Sequence, residues 1–308
     1  MKTTVLLTAL FFSMGSLNAQ PKEVLNLAPD GPADPAVLGQ LVAANASKEV
    51  SRTPLNLTGD AGTSVFFVPS GANVAGMNGA YYMTELKIMT RWQSSGISVA
   101  MCVVPNGPPP TGGSSGSGHT CSYFTLNGNN IYVWKNILST LGHSGAGYLL
   151  IGINPSTPNQ TAYTMSAWAN TYTASPTGGY YRTPVPVFEN AYTASPALNG
   201  NLNEDSSTRN NIYVANLDFT YSATVYLYPG QNGGPWGTPF VATLAPGEAE
   251  QYSFASLFPK YTGSGINLEF AATGSSTAGI GYIIRTDNVT NDGMLELPTY
   301  FDYSEWRR

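Results

Sequence analysis

Residues 141–151, LGHSGAGYLLI, and residues 261–270, YTGSGINLEF, share one pattern, in which a G-x-G turn leads into an apolar strand. The G-x-G begins at Gly145 in the first stretch and at Gly263 in the second, 118 positions later. Glycine permits a tight turn and close backbone approach, so both stretches predict a turn that enters a buried strand. The recurrence of this unit predicts that the fold is built twice.

Two further matches stand at the same separation of 118 positions. T-L-N-G at 125–128 recurs as T-L-A-P-G at 243–247, and Asn170 matches Asn288. Because the separation holds over 46 positions without a gap, it indicates an internal repeat.

The repeat extends upstream with two more pairs of strands. SVAMCVVP at 98–105 matches SATVYLYP at 222–229, 124 positions on, and ELKIMT at 85–90 matches NIYVAN at 211–216, 126 positions on. The larger separations place an insertion in the Gly/Ser-rich loop of copy one. Each copy is about 115 residues of short strands, which is the size of one β-sandwich.

From Ser64 onward, β-branched and aromatic residues alternate with polar ones between Gly, Asn, Ser and Pro. Helical periodicity is confined to short stretches near 134–141 and 254–258. The sequence therefore predicts an all-β protein. VPVF at 185–188 is similar to VFFVP at 65–69 in copy one, so we expect the first edge strand of copy two at 185–188.

Each copy presents its motifs in one order. An N-x-apolar-x-apolar strand and an apolar strand ending in Pro precede a T-L-x-x-G turn, a short Leu/Phe turn, G-x-G with its strand, and a D-N-x-T-x-D hairpin. This order resembles the tandem immunoglobulin-like β-sandwich repeats of secreted bacterial proteins, most of which have no assigned activity. The resemblance covers about residues 64–296 and implies two tandem sandwiches without catalytic residues. Copy one departs from it where Ala169 and Ala174 replace the acids Asp287 and Asp292.

The first residues have the layout of a secretory signal peptide. Lys2 precedes an apolar core from Val5 to Phe12, and the small residue Ala19 stands before the expected cleavage point, which is defined to within a few residues. No later run approaches about 18 uninterrupted apolar residues, so no further membrane helix is expected. We expect a secreted or cell-surface protein.

The extension after the signal peptide contains one helix candidate. Asp34 can cap it and Pro35 suits its first position. Its apolar face comprises Ala36, Val37, Leu38, Leu41 and Val42. The predicted divisions are a signal peptide at 1–19, an N-terminal extension with this helix at 20–62, β-sandwich one at 63–176, β-sandwich two at 177–298 and a C-terminal tail at 299–308.

The charge balance excludes one class of partner. The formal net charge is -5, and Lys and Arg are scattered rather than clustered, so nucleic acid is not an expected ligand. Charged residues make up 10% of the chain against about 25% in typical domains. The surface is therefore expected to consist largely of uncharged polar residues.

The two cysteines, Cys102 and Cys121, stand 19 positions apart. In an exported protein this pair predicts a disulfide. The loop that it closes is rich in Pro, Gly and Ser, so we interpret the bond as a structural cross-link.

One stretch comes close to a catalytic motif. Residues 142–146 read G-H-S-G-A, near the G-x-S-x-G nucleophile elbow, and would make Ser144 a nucleophile. An elbow needs a strand before the Ser and a helix after it, whereas here the apolar strand follows. Copy two has Tyr261 and Thr262 at the positions of the His–Ser pair, and His119 in the Gly/Ser loop is the only alternative base. We expect a turn at Ser144 rather than catalysis.

Metal ligands are limited in number and kind. Two His and two paired Cys leave no zinc spacing. Oxygen ligands for calcium are available at Asp287, Asn288 and Asp292, with a second acidic stretch at 201–207. The alternative is a turn in which these side chains bond their own backbone. Calcium is the one cofactor that we consider.

Paired carboxylates could in principle hydrolyse glycosides. Glu85, Glu269 and Asp218 are candidates, but we expect all three at outward positions of strands, where a solvated or edge-blocking charge is usual.

The chain has 19 Tyr and 5 Trp, which can build a platform for stacking on sugar rings. Tyr226 and Tyr228 lie two apart on one predicted strand and so share a face, and Trp236 follows. The alternative is that these aromatic residues pack in strands and cores.

These observations favour a secreted, non-enzymatic β-sandwich protein with a role in adhesion, in surface or matrix structure, or in recognition of a partner. A carbohydrate-binding module and a secreted hydrolase are the alternatives. The expected partners are an extracellular protein, a glycan or further copies of the chain.

Overall fold

A computed structural model describes most of the chain after the predicted signal peptide. The described residues are 22–33, 37, 40, 41, 65–76, 80–91, 96–107, 119–153, 164–174, 179–185, 187–189, 197–216, 221–273, 279–288, 293–296 and 299–300. The predicted cap of the N-terminal helix, the middle of the Gly/Ser loop, Asp218 and Asp292 lie outside these ranges. Of the predicted N-terminal helix, Val37 and Leu41 are described, and both are helical and buried.

Strands make up 69% of the structure and helices 6%, which confirms the all-β class. An N-terminal segment carries β1 (Lys22–Leu25) and β2 (Gly31–Pro32). Repeat one consists of β3 (Val65–Ala75), β4 (Tyr81–Arg91), β5 (Ile97–Pro105), β6 (Thr120–Leu126), β7 (Asn130–Trp134), α1 (Ile137–Thr140), β8 (Gly145–Ile153), β9 (Thr164–Ala174), β10 (Tyr180–Val185) and β11 (Phe188–Glu189). Repeat two consists of β12 (Ala197–Glu204), β13 (Thr208–Asn216), β14 (Ala223–Gln231), β15 (Phe240–Leu244), β16 (Ala249–Ser253), α2 (Phe254–Leu257), β17 (Gly263–Thr273), β18 (Gly279–Asp287), β19 (Gly293–Glu296) and β20 (Thr299–Tyr300).

The two repeats pair their strands in the same way. In repeat one, β8 lies between β3 and β5, β5 pairs with β6, and β4 lies between β7 and β9. In repeat two, β17 lies between β12 and β14, β14 pairs with β15, and β13 lies between β16 and β18. A short β3–β4 ladder also joins the two halves of repeat one into one eleven-stranded sheet. Repeat two keeps separate sheets of five and four strands.

The glycines of the G-x-G turn have the two roles expected from the sequence. Gly145 and Gly263 adopt positive φ angles of 129° and 81°, which favour glycine at both positions. Gly147 lies so close to β5 that a Cβ there would come within 2.3 Å of the carbonyl oxygen of Val104. The turn therefore positions β8 against its neighbour.

The register of the strand after this turn differs by one residue from the sequence alignment. Leu149 pairs with Val103 and packs in the core of repeat one. Leu268 pairs with Pro229, packs in the core of repeat two and stands 119 positions after Leu149, not the predicted 118. A one-residue shift moves a strand's side chains to the opposite face, so Leu150, the predicted match of Leu268, lies on the outer face of its sheet.

Two other parts of the alignment are also shifted. Ala169 on β9 pairs with Leu86, and Ile283 on β18 pairs with the equivalent residue Ile212. Equivalent residues of β9 and β18 are therefore separated by 114 positions, so the match of Asn170 to Asn288 is wrong. Ile97 begins β5 opposite Leu126, the last residue of β6, and Ala223 begins β14 opposite Leu244, the last residue of β15. Equivalent residues of β5 and β14 are therefore separated by 126 positions, not 124.

Residues 185–188 do not begin copy two, so that prediction is wrong. Val185 is buried in the core of repeat one, and Phe188 in β11 pairs with Phe67 in β3. Val185 pairs with Ala169 on β9, so the segment belongs to the sheet of repeat one and does not repeat VFFVP. Strands β19 and β20 repeat this arrangement on β18 and β12.

Three apolar layers hold these sheets together. The first is the core of repeat one and the third is the core of repeat two. The middle layer lies between the repeats, because the outer face of β3, β8, β5 and β6 is itself apolar. Its buried members are Val37, Leu41, Phe67, Ala100, Cys102, Val104, Cys121, Tyr148, Leu150, Ala215 and Ala249.

Polar contacts accompany this middle layer. The fully buried hydroxyl of Tyr148 donates to the carbonyl oxygen of Gly247 at 2.9 Å. The amide of Gly107 donates to the carbonyl oxygen of Ala249 at 2.8 Å. Since Ala215 and Ala249 lie on β13 and β16, the four-stranded sheet of repeat two is covered on this side by repeat one.

The predicted disulfide is present. Cys102 and Cys121 are directly opposite each other on β5 and β6, and their Cα atoms are 4.1 Å apart. Both are buried in the middle layer, so the bond joins two strands beside the interface between repeats.

Replacing Cys102 and Cys121 together by Ala is expected to lower the free energy of unfolding by about 3 kcal/mol, because the unfolded chain regains the freedom of the closed loop. Urea unfolding of the oxidised protein and of the double variant measures this difference. Reduction of the wild type with dithiothreitol should produce a similar loss. An unchanged unfolding midpoint would show that the cross-link does not contribute to stability.

Candidate functional site

Two tyrosines project from β14 on the face opposite the core of repeat two. Val225 and Leu227 are buried in that core, whereas Tyr226 and Tyr228 are half-buried on the other face. The two tyrosine rings are nearly parallel, with planes 18° apart and centroids 6.2 Å apart. Strand alternation therefore brings these two predicted residues together.

Trp236 extends this row. A Cβ at Gly230 would point to the same face as Tyr226 and Tyr228 and would come within 2.9 Å of the Trp236 ring. The indole therefore packs against the backbone of β14 where the side chain is missing. The amide of Gly237 donates to the carbonyl oxygen of Pro229 at 2.7 Å, which holds the loop in place. We call Tyr226, Tyr228 and Trp236 the aromatic strip.

The aromatic strip is accessible and has different borders on its two sides. Trp236 is 47% exposed, and Val241, which pairs with Tyr226 on the β15 side, is 48% exposed. On the β17 side, Tyr228 pairs with Glu269 and Gly230 pairs with Asn267. The strip thus has an apolar border on one side and a polar border on the other.

The sequence around the aromatic strip is the longest uncharged stretch of repeat two. No Asp, Glu, Lys or Arg occurs between Asp218 and Glu248, a stretch that contains all of β14 and β15. Aromatic residues and depleted charge are the features that distinguish the centres of binding interfaces from other surfaces. This stretch is therefore the part of repeat two best suited to binding.

A different kind of cluster surrounds Glu85 on β4. This carboxylate was expected to be exposed, but it is only 1% exposed, so that prediction is wrong. It does lie on the face opposite the core, where the Nζ atoms of Lys87 and Lys135 approach to 3.2 and 2.9 Å and an Nη atom of Arg182 to 3.3 Å. Lys135 and Arg182 come from distant parts of the chain, so no local sequence pattern indicated this burial.

The two lysines keep Glu85 ionised. Burial by itself would raise the pKa of the carboxyl, but the hydrogen bonds and charges of Lys135 and Lys87 outweigh it and hold the pKa below its ordinary value. An acid of this kind is a poor proton donor at neutral pH. The cluster is best explained as a structural ion-pair network that links β4, β10 and the turn between β7 and α1.

The stretch around Ser144 is a turn that enters β8. Helix α1 precedes it and the strand follows, the reverse of a nucleophile elbow. Ser144 is exposed, and the carbonyl oxygen of His143 accepts a hydrogen bond from Asn73 at 2.7 Å. Burial lowers the pKa of His143, with partial compensation from a backbone hydrogen bond to Ala146. His119 precedes β6, which β5 separates from β8.

The structure brings the two acidic stretches considered for calcium close together. Asn288 donates from its side chain to the carbonyl oxygen of Ser206 at 3.1 Å, and its own side-chain oxygen accepts from Arg209. The carboxylate of Asp205 accepts from the backbone amides of Ser207 and Thr208 at 2.8 and 2.9 Å. These are the contacts of a self-bonded turn.

Neither Asp287 nor Asn288 is part of a recognised metal cluster. Within the described ranges, no group of three or more His, Cys, Asp or Glu is arranged to hold a metal ion. Asp292 lies outside those ranges, so the full predicted set is not defined.

No protein-family model, curated protein or solved structure matches this chain. Among the helices that the structure describes, none is long and apolar enough to cross a membrane.

Replacing Glu85 by Gln is expected to lower the free energy of unfolding by about 2 kcal/mol at neutral pH, since three cations lose their shared carboxylate. Because the pKa of Glu85 is lowered in the folded state, its contribution is present above the unfolded-state pKa and is lost as the pH falls through the folded-state value. The stability difference between wild type and variant should therefore shrink in acid.

Chemical denaturation at neutral pH and in a series of acidic buffers measures this effect. Glu23→Gln is the matched control, because Glu23 is exposed on β1 and its substitution should leave stability unchanged. A Glu85→Gln variant that is as stable as wild type at neutral pH would show that the network contributes nothing.

Proposed function

We propose that the chain is an extracellular, non-enzymatic protein of adhesion or recognition, and that the aromatic strip is its binding surface. The sequence layout of a signal peptide and the Cys102–Cys121 disulfide support an extracellular location, where such bonds persist. The net charge of -5 and the scattered basic residues argue against a nucleic-acid ligand.

The arrangement of Tyr226, Tyr228 and Trp236 is the observation that carries this proposal. Three aromatic side chains stand in one row on a face that repeat one leaves uncovered, and the chain maintains the row by placing glycine at position 230. Tyr and Trp are enriched in residues that dominate binding energy, because they offer large contact areas with few rotatable bonds.

We also propose that each repeat is a variant of the immunoglobulin-like sandwich. The second strand pairs with the fifth and the third with the sixth, as in that fold. The first and last strands have exchanged sheets, since β12 joins β17 and β18 joins β13. The loops and faces of such sandwiches commonly carry recognition, which agrees with a binding role.

A carbohydrate is the ligand class that the aromatic strip favours most. The faces of aromatic rings pack well against the C–H surface of a pyranose, and parallel rings suit a linear chain of sugars. Glu269 and Asn267 border the strip and carry groups able to bond sugar hydroxyls. A hydrolase is the weaker candidate, because Ser144 lies in a turn and Glu85 is enclosed by cations.

Alanine substitution of Tyr226 or Trp236 is expected to abolish or strongly weaken retention of the protein on insoluble polysaccharides such as cellulose, chitin or peptidoglycan. Each substitution removes a ring whose stacking accounts for a large part of the contact area. Pull-down of the purified chain, followed by a glycan array, measures the effect.

Trp168→Ala is the matched control, because Trp168 is 48% exposed, as Trp236 is, but lies on β9 in repeat one. It should bind like wild type. Equal loss in all three variants would indicate nonspecific adsorption through exposed aromatic residues. Absence of binding to every glycan, with a wild-type fold, would refute the carbohydrate proposal.

A further inference from the structure

The short strands outside the repeated core cover the edges of its sheets. In repeat one, β1 and β2 pair with the edge strands β7 and β6, while β10 and β11 pair with β9 and β3. In repeat two, β19 and β20 cover β18 and β12, and Gly107 forms a bridge to Ala249 on β16. Covering edges in this way prevents unwanted strand pairing.

Strand β15 is the exception within the described part of the chain. It is the end strand of the five-stranded sheet and, among the described residues, pairs with β14 alone. It carries none of the usual blocking devices, because FVATL contains no charge and no proline. Val241 and Thr243 are exposed on it, and both are β-branched. An edge of this kind is suited to accept another strand.

Repeat one shows how such an edge accepts a strand. There the carbonyl oxygens of Cys121 and Tyr123 on β6 accept from the amides of Ala33 and Asp30 at 2.9 and 2.8 Å, in antiparallel pairing. Tyr123 and Val241 occupy equivalent places in their sheets, opposite Ala100 and Tyr226 respectively.

In an antiparallel strand, alternate residues direct both backbone groups to the same side. The outward-facing residues of β6 are therefore the odd-numbered ones. Their equivalents on β15 include Val241 and Thr243, whose amide and carbonyl groups point away from β14.

We propose that β15 pairs antiparallel with β15 of a second copy of this chain, about a two-fold axis at Ala242. This register places Val241 of each copy opposite Thr243 of the other. Because both residues direct their backbone groups outward, each of the two pairs forms two hydrogen bonds, four in all. Phe240 lies opposite Leu244 on the core side, so apolar and outer faces stay matched across the junction.

A second copy suits this edge better than a charged partner does. The pairing is isologous, as in most soluble homodimers, and it needs no segment that is already used elsewhere in the fold. The absence of charge from Asp218 to Glu248 means that no like charges meet at the junction, although the whole chain is acidic. The junction also places the outer faces of both five-stranded sheets on one side.

Size-exclusion chromatography with light scattering on the purified chain tests the proposal. The wild type should elute with twice the monomer mass and dissociate on dilution. Thr243→Pro removes one outward amide from each copy, two of the four hydrogen bonds, without removing a bond to β14. It should raise the dimer Kd by about thirtyfold, the effect of two hydrogen bonds of ordinary strength.

A second variant tests the same junction in case the proline variant does not fold. Val241→Lys with Thr243→Lys places like charges opposite each other in both pairs and should also yield monomers. The matched control exchanges the two residues, Val241→Thr with Thr243→Val, and should remain dimeric. All variants should keep the circular dichroism spectrum of the wild type.

A wild type that stays monomeric at high concentration would overturn the proposal, as would a folded lysine variant that remains a dimer. Trp236→Ala separates this inference from the proposed binding function, because it removes a ring that packs at Gly230, beyond the end of the β14–β15 ladder. That variant should stay dimeric, whether or not the chain binds a glycan.

Discussion

Burial of an apolar layer between the two repeats is the constraint on which the rest of the structure depends. The sheet formed by β3, β8, β5 and β6 is apolar on both faces, so one face must be covered by something other than its own core. Repeat two supplies that cover through Ala215 and Ala249, with Val37 and Leu41 beside them. The buried hydroxyl of Tyr148 finds its acceptor in repeat two, so the layer also has its polar group satisfied.

This packing decides which surface remains available. One sheet of repeat two is used to cover repeat one, so the five-stranded sheet is left with the outward face that carries the aromatic strip. The strip itself follows from alternation along β14, with Gly230 making room for the indole of Trp236. The packing of the two repeats therefore decides which face is exposed, and the sequence of β14 decides which side chains that face carries.

Much of the fold could be predicted because repetition and periodicity are properties of the sequence. The turn at Gly145 and its counterpart at Gly263 are in the expected places, and the strand order recurs as the alignment indicated. The register could not be predicted to the residue. Leu149 and Leu150 are both leucines, so Leu268 aligns equally well with either, but the choice decides which face of the strand is buried in the core. The similarity of 185–188 to 65–69 was also misleading, because Phe188 pairs with Phe67 instead of occupying the equivalent place in copy two.

The sequence by itself determined the all-β class, the internal repeat, the disulfide partners and the shared face of Tyr226 and Tyr228, because each depends on residues that are close in sequence or unique in type. Only the tertiary structure decided that Glu85 is enclosed by Lys135 and Arg182, and that Trp236 continues the tyrosine row. Those outcomes depend on which distant segments meet, and pairing between strands that are far apart in the chain leaves no local pattern to read.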